Sequence, residues 1–521
     1  MIKSRPLYDA EVIRTLDQQA MVHYQTTGFE LMQRAAAEML ERCLQRWPSA
    51  SRIQVWCGKG NNGGDAWLLA AYAQQAGCQV QAVTLHNTHG LEGDAELAWR
   101  VAEQAGVPVV DFAAQATELW QPGQIDLVID GLLGTGCRGP LRNNYAKAIA
   151  HINHLACPVA SVDVPSGLNA STGVVDDDAV RADLVVTFIA PKAGLATGAG
   201  LVHAPVVQLC PLQVEVSQLP AANQVAALEY DVQGLQLLPL DTQTYKHQQG
   251  HVLVVGGDLN MPGAVLLACE GALRGGAGMV TCLTRSEHRA ALVSRTPEVM
   301  VIDTLEQLTR PDGLTAIVLG PGLGRRDWGE QLYRQVEQIS AEHGIPVILD
   351  ADGLFWLAES GHWQGSRLGI TPHMGEAIRL LPDEQAADRF AMALGLAGAY
   401  NAMGVLKGAG SLVFRPDQVP AVCRDGNAGM ASAGMGDVLA GLAGGFWADL
   451  LRQTFADDLA RDQVYFERLC TAVSLHSAAA DMAVKNTGQR ALVATDVLHT
   501  IPGLMRALEQ QATEQYKDPQ I

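Results

Sequence analysis

The stretch Arg52-Ile-Gln-Val-Trp-Cys57, Gly58-Lys-Gly-Asn-Asn-Gly-Gly-Asp65, Ala66-Trp-Leu-Leu-Ala-Ala-Tyr-Ala-Gln-Gln-Ala76 decides the fold. A short β-prone run passes into a glycine-rich loop and then into an alanine-rich helical run, so the sequence reads strand, loop, helix. Free N–H groups at such a helix start hold anions. Gly58, Gly60 and Gly63 formally satisfy the dinucleotide fingerprint, which also requires an acidic residue about 20 positions on, at the end of the next strand. That strand, Gln79-Val-Gln-Ala-Val-Thr-Leu-His86-Asn87, carries none, which disfavours a hydride-transferring Rossmann enzyme. A Walker loop fails too, because Lys59 lies inside the loop and no Gly-Lys-Ser/Thr follows.

Outward from this unit, short β-prone runs alternate with helical ones: Val80 to Leu85, Val107 to Asp111, Ile125 to Asp130, Pro158 to Asp163 and Leu184 to Ile189. This spacing predicts a doubly wound parallel sheet. Upstream, Tyr8 to Trp47 has helical spacing with Pro48 as its stop. The alternation fades between Pro211 and Tyr245 and then resumes. The second series comprises His251 to Gly257, a helix from Gly263 to Gly275, and strands at Met279 to Thr284, Ala316 to Leu319, Pro346 to Asp350 and Gly404 to Lys407, with Ser411 to Phe414 pairing back as a hairpin. The expectation is a two-domain α/β protein, divided as residues 1–220 and 221–521, with a Rossmann-like sheet first and a second α/β sheet after it.

Composition narrows the function. Acidic residues outnumber basic ones by 55 to 36, a formal charge of -19, and no basic block stands out. A nucleic-acid footprint is therefore not expected, and anionic substrates must be held by local N–H groups and a few lysines. The ten cysteines contain no Cys-x-x-Cys and read as reduced core residues. No signal-like N-terminus and no apolar run of about 18 residues is visible, so no membrane partner is expected and the location is expected to be cytoplasmic.

In such sheets ligands sit beyond the carboxyl ends of strands. Asp130 and Asp163 close strands there, followed by Gly134-Thr135-Gly136 and by Val164-Pro165-Ser166. Spacing alone also fits simple caps of the following loops. Together with Asn61-Asn62-Gly63-Gly64-Asp65, these residues resemble the NAD(P)H-hydrate epimerase family over roughly residues 8–215. The resemblance implies that Asn61 to Asp65 and Gly134, Thr135, Gly136, Cys137, Arg138, Gly139 and Pro140 hold a nicotinamide dinucleotide hydrate. It also implies that Asp163 contacts the hydrate as acid/base and that K+ is bound at Asn62, Asp130 and Ser166. The family loop usually continues with glycine, where this chain has Ala66; a methyl group at a helix start should be tolerated.

The run Gly426-Asn-Ala-Gly-Met-Ala-Ser-Ala-Gly-Met-Gly436-Asp437 reads as a glycine-rich turn opening a helix, with a carboxylate in its first turn. This suits phosphoryl chemistry, although a Gly-x-Gly-Asp at a helix start is as readily a plain cap. With Gly256-Gly257-Asp258, Gly320-Pro-Gly322-Leu-Gly324, Leu349-Asp350-Ala-Asp352-Gly353, Thr371-Pro-His373-Met-Gly-Glu376 and Lys407-Gly408-Ala409-Gly410-Ser411, it resembles the ribokinase-like NAD(P)H-hydrate dehydratase family. The resemblance implies that Ala264, Gly322, His373 and Asp437 contact the S-hydrate, while Lys407 to Ser411 and Gly436 hold ADP as co-substrate. Mg2+ is expected with the nucleotide, with Glu376 as a candidate ligand. His373 read from its spacing is equally a capping or core residue. The pairs His86/His89 and His151/His154 lack further ligand-type neighbours and read as incidental.

The combined expectation is repair of NADHX and NADPHX: epimerisation of the R and S forms, and ADP-driven dehydration of the S form to NAD(P)H with release of AMP and phosphate. A homo-oligomer is the expected assembly. Two rival readings remain open on residues alone. One is a small-alcohol kinase, which would use the same base and anion hole; the other is a non-enzymatic nucleotide-binding role for the first half.

Overall fold

The computed structural model describes residues 2–237, 239–308, 310, 313–382 and 387–517. Two units emerge, one comprising Pro6–Ala227 and the other Leu228–Ile521 with Met1–Arg5.

In the Pro6–Ala227 unit, seven strands form a sheet in which every pairing is parallel. Its order is Val109–Asp111, Gln79–Thr84, Arg52–Cys57, Leu127–Gly131, Val159–Val162, Leu184–Phe188 and Val207–Cys210. The chain thus builds outward from Arg52–Cys57 on one side and then on the other. That places the topological switch point between Arg52–Cys57 and Leu127–Gly131, where a crevice opens beyond the strand ends. Alternate residues of one strand point to opposite faces. Ile53, Val55 and Cys57 join a core cluster with the Gly28–Arg46 and Asn61–Gln75 helices, whereas Trp56 joins another with Ile149 and Ile152 of the Asn143–His154 helix. Burial on both faces is why the strand reads as nearly continuous apolar sequence.

Two expectations change. The run from Tyr8 to Trp47 is two helices, Ala10–His23 and Gly28–Arg46, not one. Gln25 adopts a left-handed backbone at φ 50°, and Thr27 with Glu30 forms a reciprocal capping box that starts the second helix. The helix after Cys57 begins at Asn61 instead of Ala66, so the Asn61 to Asp65 segment is the first helical turn. Gly60 is its N-cap and offers no side-chain acceptor, leaving the first N–H groups available to a ligand. The departure at Ala66 is accommodated by Gly131, whose hypothetical Cβ would lie 2.5 Å from the Ala66 methyl.

The second unit contains an eleven-stranded sheet. A parallel stretch runs Val299–Ile302, Met279–Leu283, His251–Val255, Ala316–Leu319, Val347–Leu349, Leu368–Ile370 and Met403–Leu406. Leu412–Phe414 turns back antiparallel to Met403–Leu406, as the sequence predicts. The strands Val299–Ile302, Leu368–Ile370 and Ala421–Cys423 were not anticipated; the first is a partly exposed edge strand and the second has Gly369 at its centre, which weakens the apolar pattern. Helices Pro262–Arg274 and Met435–Trp447 cross in backbone contact. A Cβ on Gly441 would lie 2.0 Å from Ala268 O, so glycine there sets the position of the helix that carries Asp437.

All ten cysteines are free. Among the described residues, no helix is long and apolar enough to cross a membrane.

Candidate functional site

The crevice of the Pro6–Ala227 unit is a cavity of about 510 Å³ lined by Asn61, Asn62, Asp65, Gly134, Thr135, Gly136, Cys137 and Asp163. The expected N-terminal site residues therefore converge in large part. Gly63 and Gly64 instead serve packing, since a Cβ on either would meet Gly58 O at 2.0 Å or Met32 Sδ at 2.6 Å. Arg138, Gly139 and Pro140 are exposed and do not line the cavity.

Asp163 follows the Val159–Val162 strand with a left-handed backbone, φ 62°. Its N–H donates to Val186 O at 2.8 Å, which locks the strand end. Three donors converge on its Oδ1: Lys192 Nζ at 2.5 Å, Thr187 Oγ1 at 3.1 Å and Phe188 N at 3.0 Å. Lys192 is 1% exposed and also donates to Phe188 O, so it is fixed before any ligand arrives. Asp17 and Asp65 line the same cavity. Burial, then the Asp163 charge, pushes Asp17 up to about 6 against the pull of Lys192; burial followed by Asp163 and Asp17 raises Asp65 well above the carboxylate range.

Lys192 and Asp17 escaped the sequence reading, yet each carries a signal. Lys192 is the lone charged residue between Asp183 and His203. Asp17 shares a helical face with Ile13, Leu16 and Ala20, all buried, so a carboxylate interrupts an apolar stripe.

Asp130, Ser166 and Asn62 also meet. Asp130 is 0% exposed and accepts from Ser161 Oγ at 2.7 Å, Ser166 Oγ at 2.6 Å, Ser166 N at 2.9 Å and Leu132 N at 3.3 Å. Asn62 Nδ2 and Ser166 Oγ both donate to Leu133 O, at 2.9 and 3.2 Å. Among the described residues no cationic side chain pairs with Asp130. A buried carboxylate amid amide, hydroxyl and carbonyl oxygens fits a hard monovalent cation.

In the second unit the groups gather at the carboxyl ends of the parallel strands. Asp437 lies in the first turn of Met435–Trp447, whose N-cap is Gly434 at φ 88°. Burial pushes its carboxyl up to about 6, Asp350 and Asp352 adding to the rise and Lys407 opposing it. Asp350 is 2% exposed and accepts from Lys407 Nζ at 2.7 Å and Thr371 Oγ1 at 2.8 Å. Lys407 Nζ is also 3.8 Å from Glu376 Oε2. Asp352 accepts from Gly324 N at 2.9 Å and Arg325 Nε at 2.8 Å, tying the glycine loop to this cluster. Gly322, at φ 58°, would press a Cβ within 3.3 Å of the Ala264 methyl, so these two expected contacts adjoin. A Cβ on Gly436 would meet Lys407 Nζ at 3.3 Å.

His373 caps the Met374–Leu380 helix, accepting from Glu376 N at 3.3 Å while its own N–H donates to Glu376 Oε2 at 2.8 Å. Its ring is 60% exposed and available from the strand-end side, where His373 bridges to Lys407. Arg389, buried and unforeseen, donates to Leu406 O at 3.1 Å and to Gly410 O at 3.5 Å, holding the Lys407 to Ser411 loop in shape. Ser411 Oγ turns inward to Gly408 O at 3.0 Å.

The chain is similar to known proteins along nearly its whole length. A family model described as NAD(P)H-hydrate dehydratase matches residues 252–503, and one described as YjeF-related protein N-terminus matches residues 28–194. The bifunctional NAD(P)H-hydrate repair enzyme Nnr of Coxiella burnetii is 38% identical, covering 94% of this chain and 97% of that protein. The protein of the same name from Escherichia coli K12 is 34% identical, covering 98% and 95%. A solved ADP/ATP-dependent NAD(P)H-hydrate dehydratase of Bacillus subtilis, co-crystallized with ATP/Mg2+, is 26% identical over 53% of this chain and 95% of its own, with a TM-score of 0.44. Matched along nearly its whole length, with a separate family model on each half, the chain belongs to the family of bifunctional NAD(P)H-hydrate repair enzymes.

Proposed function

We propose that the Pro6–Ala227 unit interconverts the R and S forms of NADHX and NADPHX at C6, and that the second unit dehydrates the S form to NAD(P)H with ADP as phosphoryl donor. The observation that carries this reading is common to both units: a carboxylate at the carboxyl end of a parallel sheet, within electrostatic reach of a lysine already fixed in the protein.

In the first unit, Asn61, Asn62 and Asp65 with Gly134 to Cys137 bind the dinucleotide, and Asp163, which lines the same cavity, is the acid/base. Asn62, Asp130 and Ser166 hold K+, whose charge offsets the buried Asp130 and steadies the loop at Leu133. No redox partner is required, because inversion at C6 breaks and re-forms a bond at that carbon with the help of proton transfers and with no net change of oxidation state.

In the second unit, Ala264, Gly322, His373 and Asp437 contact the S-hydrate, and Lys407 to Ser411 with Gly436 hold ADP. Hydroxide is a poor leaving group and phosphate a good one. Asp437 takes the proton of the C6 hydroxyl as its oxygen attacks the terminal phosphoryl of ADP, releasing AMP; phosphate then leaves C6, a proton leaves C5 to solvent, and the C5–C6 double bond forms. The Met435–Trp447 helix start stabilises the transferred charge. Asp350 and Glu376 flank Lys407 and form no empty cage, which favours Mg2+ arriving on the nucleotide with few protein carboxylates, Glu376 among them. Bound there, Mg2+ would neutralise charge on the phosphates.

The test follows absorbance at 340 nm as the protein meets an R/S mixture of NADHX with Mg2+, K+ and either ADP or ATP. Complete recovery of NADH with ADP supports both activities. Recovery stopping at the S fraction removes the epimerase, and no recovery with either nucleotide returns the second unit to a kinase.

A further inference from the structure

Four carboxylates and two lysines line the cavity of the Pro6–Ala227 unit, and the mechanism above uses one carboxylate for proton transfer. Asp163 commits its Oδ1 to Lys192, Thr187 and Phe188 N–H. Asp17 approaches from a different element, the Ala10–His23 helix, one turn after Ile13, which lines the cavity beside it. Among the described residues its side chain makes no hydrogen bond and no ion pair. A carboxyl kept in a half-buried cavity without a partner is unfavourable for folding. A purely structural acid would be expected to cap a helix or meet a cation, as Asp9 does at the start of the same helix, accepting from Glu11 N and Val12 N.

The chemistry has a place for such a group. C6 of the hydrate bears a hydroxyl and the ring nitrogen, and inverting it requires the C6–O bond to break on one face and re-form on the other. One proton must be delivered and one removed. We propose that Asp17 is the second proton carrier of the epimerase site, working with Asp163 from a different wall of the cavity. This rests on the epimerase reading given above.

In the R to S direction, Asp17 in its acid form donates to the C6 hydroxyl. The C–O pair leaves with the oxygen as water, and the nitrogen lone pair forms the C6=N1 iminium. A water then adds its lone pair to the opposite face of C6, the C=N pair returns to nitrogen, and Asp163 takes the released proton. The turnover ends with Asp17 ionised and Asp163 protonated, which is the starting state for S to R; exchange with solvent resets the pair. No oxidant or reductant enters.

The charges around Asp17 suit this role. Lys192 favours its ionised form and Asp163 opposes it, while burial is the largest effect and raises it to about 6, near the range where a carrier both gives and takes protons at neutral pH. Arg14 and Lys59 also line the cavity, as does Asp94 of the Gly93–Gln104 helix. Asp65 is raised by burial first, then by the charges of Asp163 and Asp17, which favours its acid form and suits it to donate a hydrogen bond to substrate instead.

The experiment uses the full chain and separates R- and S-NADHX chromatographically without nucleotide, so that dehydration is idle. Asp17→Asn should slow exchange by about 100-fold or more, the size of a lost general acid. It should also remove one limb of the bell-shaped pH profile and leave ADP-driven dehydration of S-NADHX within about twofold of the parent; Asp17→Glu should restore much of the rate. Should Asp17→Asn fail to fold, Asp17→Ser takes its place, with retained dehydration as the check on the chain. Exchange within about threefold of the parent, or slowed exchange with both pH limbs intact, overturns the proposal, as does loss confined to Asp65→Asn. A parent protein that never interconverts the epimers fails the epimerase reading itself; a parent that does, beside an unimpaired Asp17→Asn, fails only the role of Asp17.

Discussion

Replacing Asp437 by Asn should abolish dehydration and at the same time stabilise the second unit. The raised carboxyl, at about 6 against an ordinary 3.8, means that the fold disfavours the ionised form. For a raised acid the contribution to stability is fully present below the unfolded value and is lost as pH rises through the folded value. Above pH 6 the native protein therefore carries a penalty whose ceiling is about 3 kcal/mol at 1.36 kcal/mol per unit, and about 1 kcal/mol at pH 4.5. Solvent at the mouth of the site reduces these figures, so a gain of roughly 1–2 kcal/mol at pH 7.5 is expected, or several degrees in the melting temperature. Asparagine cannot take the hydroxyl proton, and kcat/KM for S-NADHX should fall by about 10²–10⁴. In the parent protein that rate should climb with pH through about 6 as Asp437 ionises. Thermal unfolding of both proteins at pH 7.5 and 4.5, beside the dehydration assay, tests the argument. An inactive variant that melts at or below the parent at pH 7.5, or one whose gain is as large at pH 4.5, refutes the burial of Asp437 as the source of its basicity.

Asp163→Ala should stop R to S conversion while S-NADHX is still dehydrated at the parent rate; unaltered epimerisation would remove Asp163 from the mechanism. Epimerisation should depend on K+ at constant ionic strength, and Ser166→Ala, which strips a 2.6 Å donor from Asp130, should raise the K+ requirement on the order of tenfold. A KCl titration matching LiCl in the parent would eliminate the cation site. Gly441→Ala should lower stability by about 2 kcal/mol or more, because its methyl would sit 2.0 Å from Ala268 O. It should depress dehydration as well by shifting the helix that bears Asp437, and an unchanged melting curve would show that the helix crossing has slack.

What the sequence revealed depended on whether information is local. Glycine loops specify backbone shape within a few residues, so Gly58 to Asp65, Gly134 to Gly136 and Gly434 to Asp437 were legible and the structure sets them at strand ends. Parallel strands buried on both faces announce themselves by runs such as Ile125 to Asp130. A partly exposed edge strand such as Val299–Ile302 and a strand interrupted by glycine such as Leu368–Ile370 do not, and both were missed. The break at Gln25 was missed although Thr27-x-x-Glu30 is a capping box, since the apolar spacing on either side remains in helical phase.

The site residues that escaped notice are those whose meaning is a meeting in space. Asp17 and Lys192 join the anticipated Asp65 and Asp163 in one cavity, the four arriving from separate elements, and alone the first two read as surface or loop. The lysines make the difference between the two units. Lys192 spends its charge on Asp163 itself, at 2.5 Å, whereas Lys407 spends its charge on Asp350 at 2.7 Å and leaves Asp437 less compensated. A phosphoryl-accepting hydroxyl requires a base strong enough to draw off its proton at the moment of attack, and Asp437 gains that strength from burial beside other carboxylates. Inversion at C6 requires a proton to be given as well as taken, which a lysine-anchored Asp163 does not meet alone and which an unpaired Asp17 in the same cavity does. The same arrangement of carboxylate and lysine thus serves two reactions according to which carboxylate the lysine is given to hold.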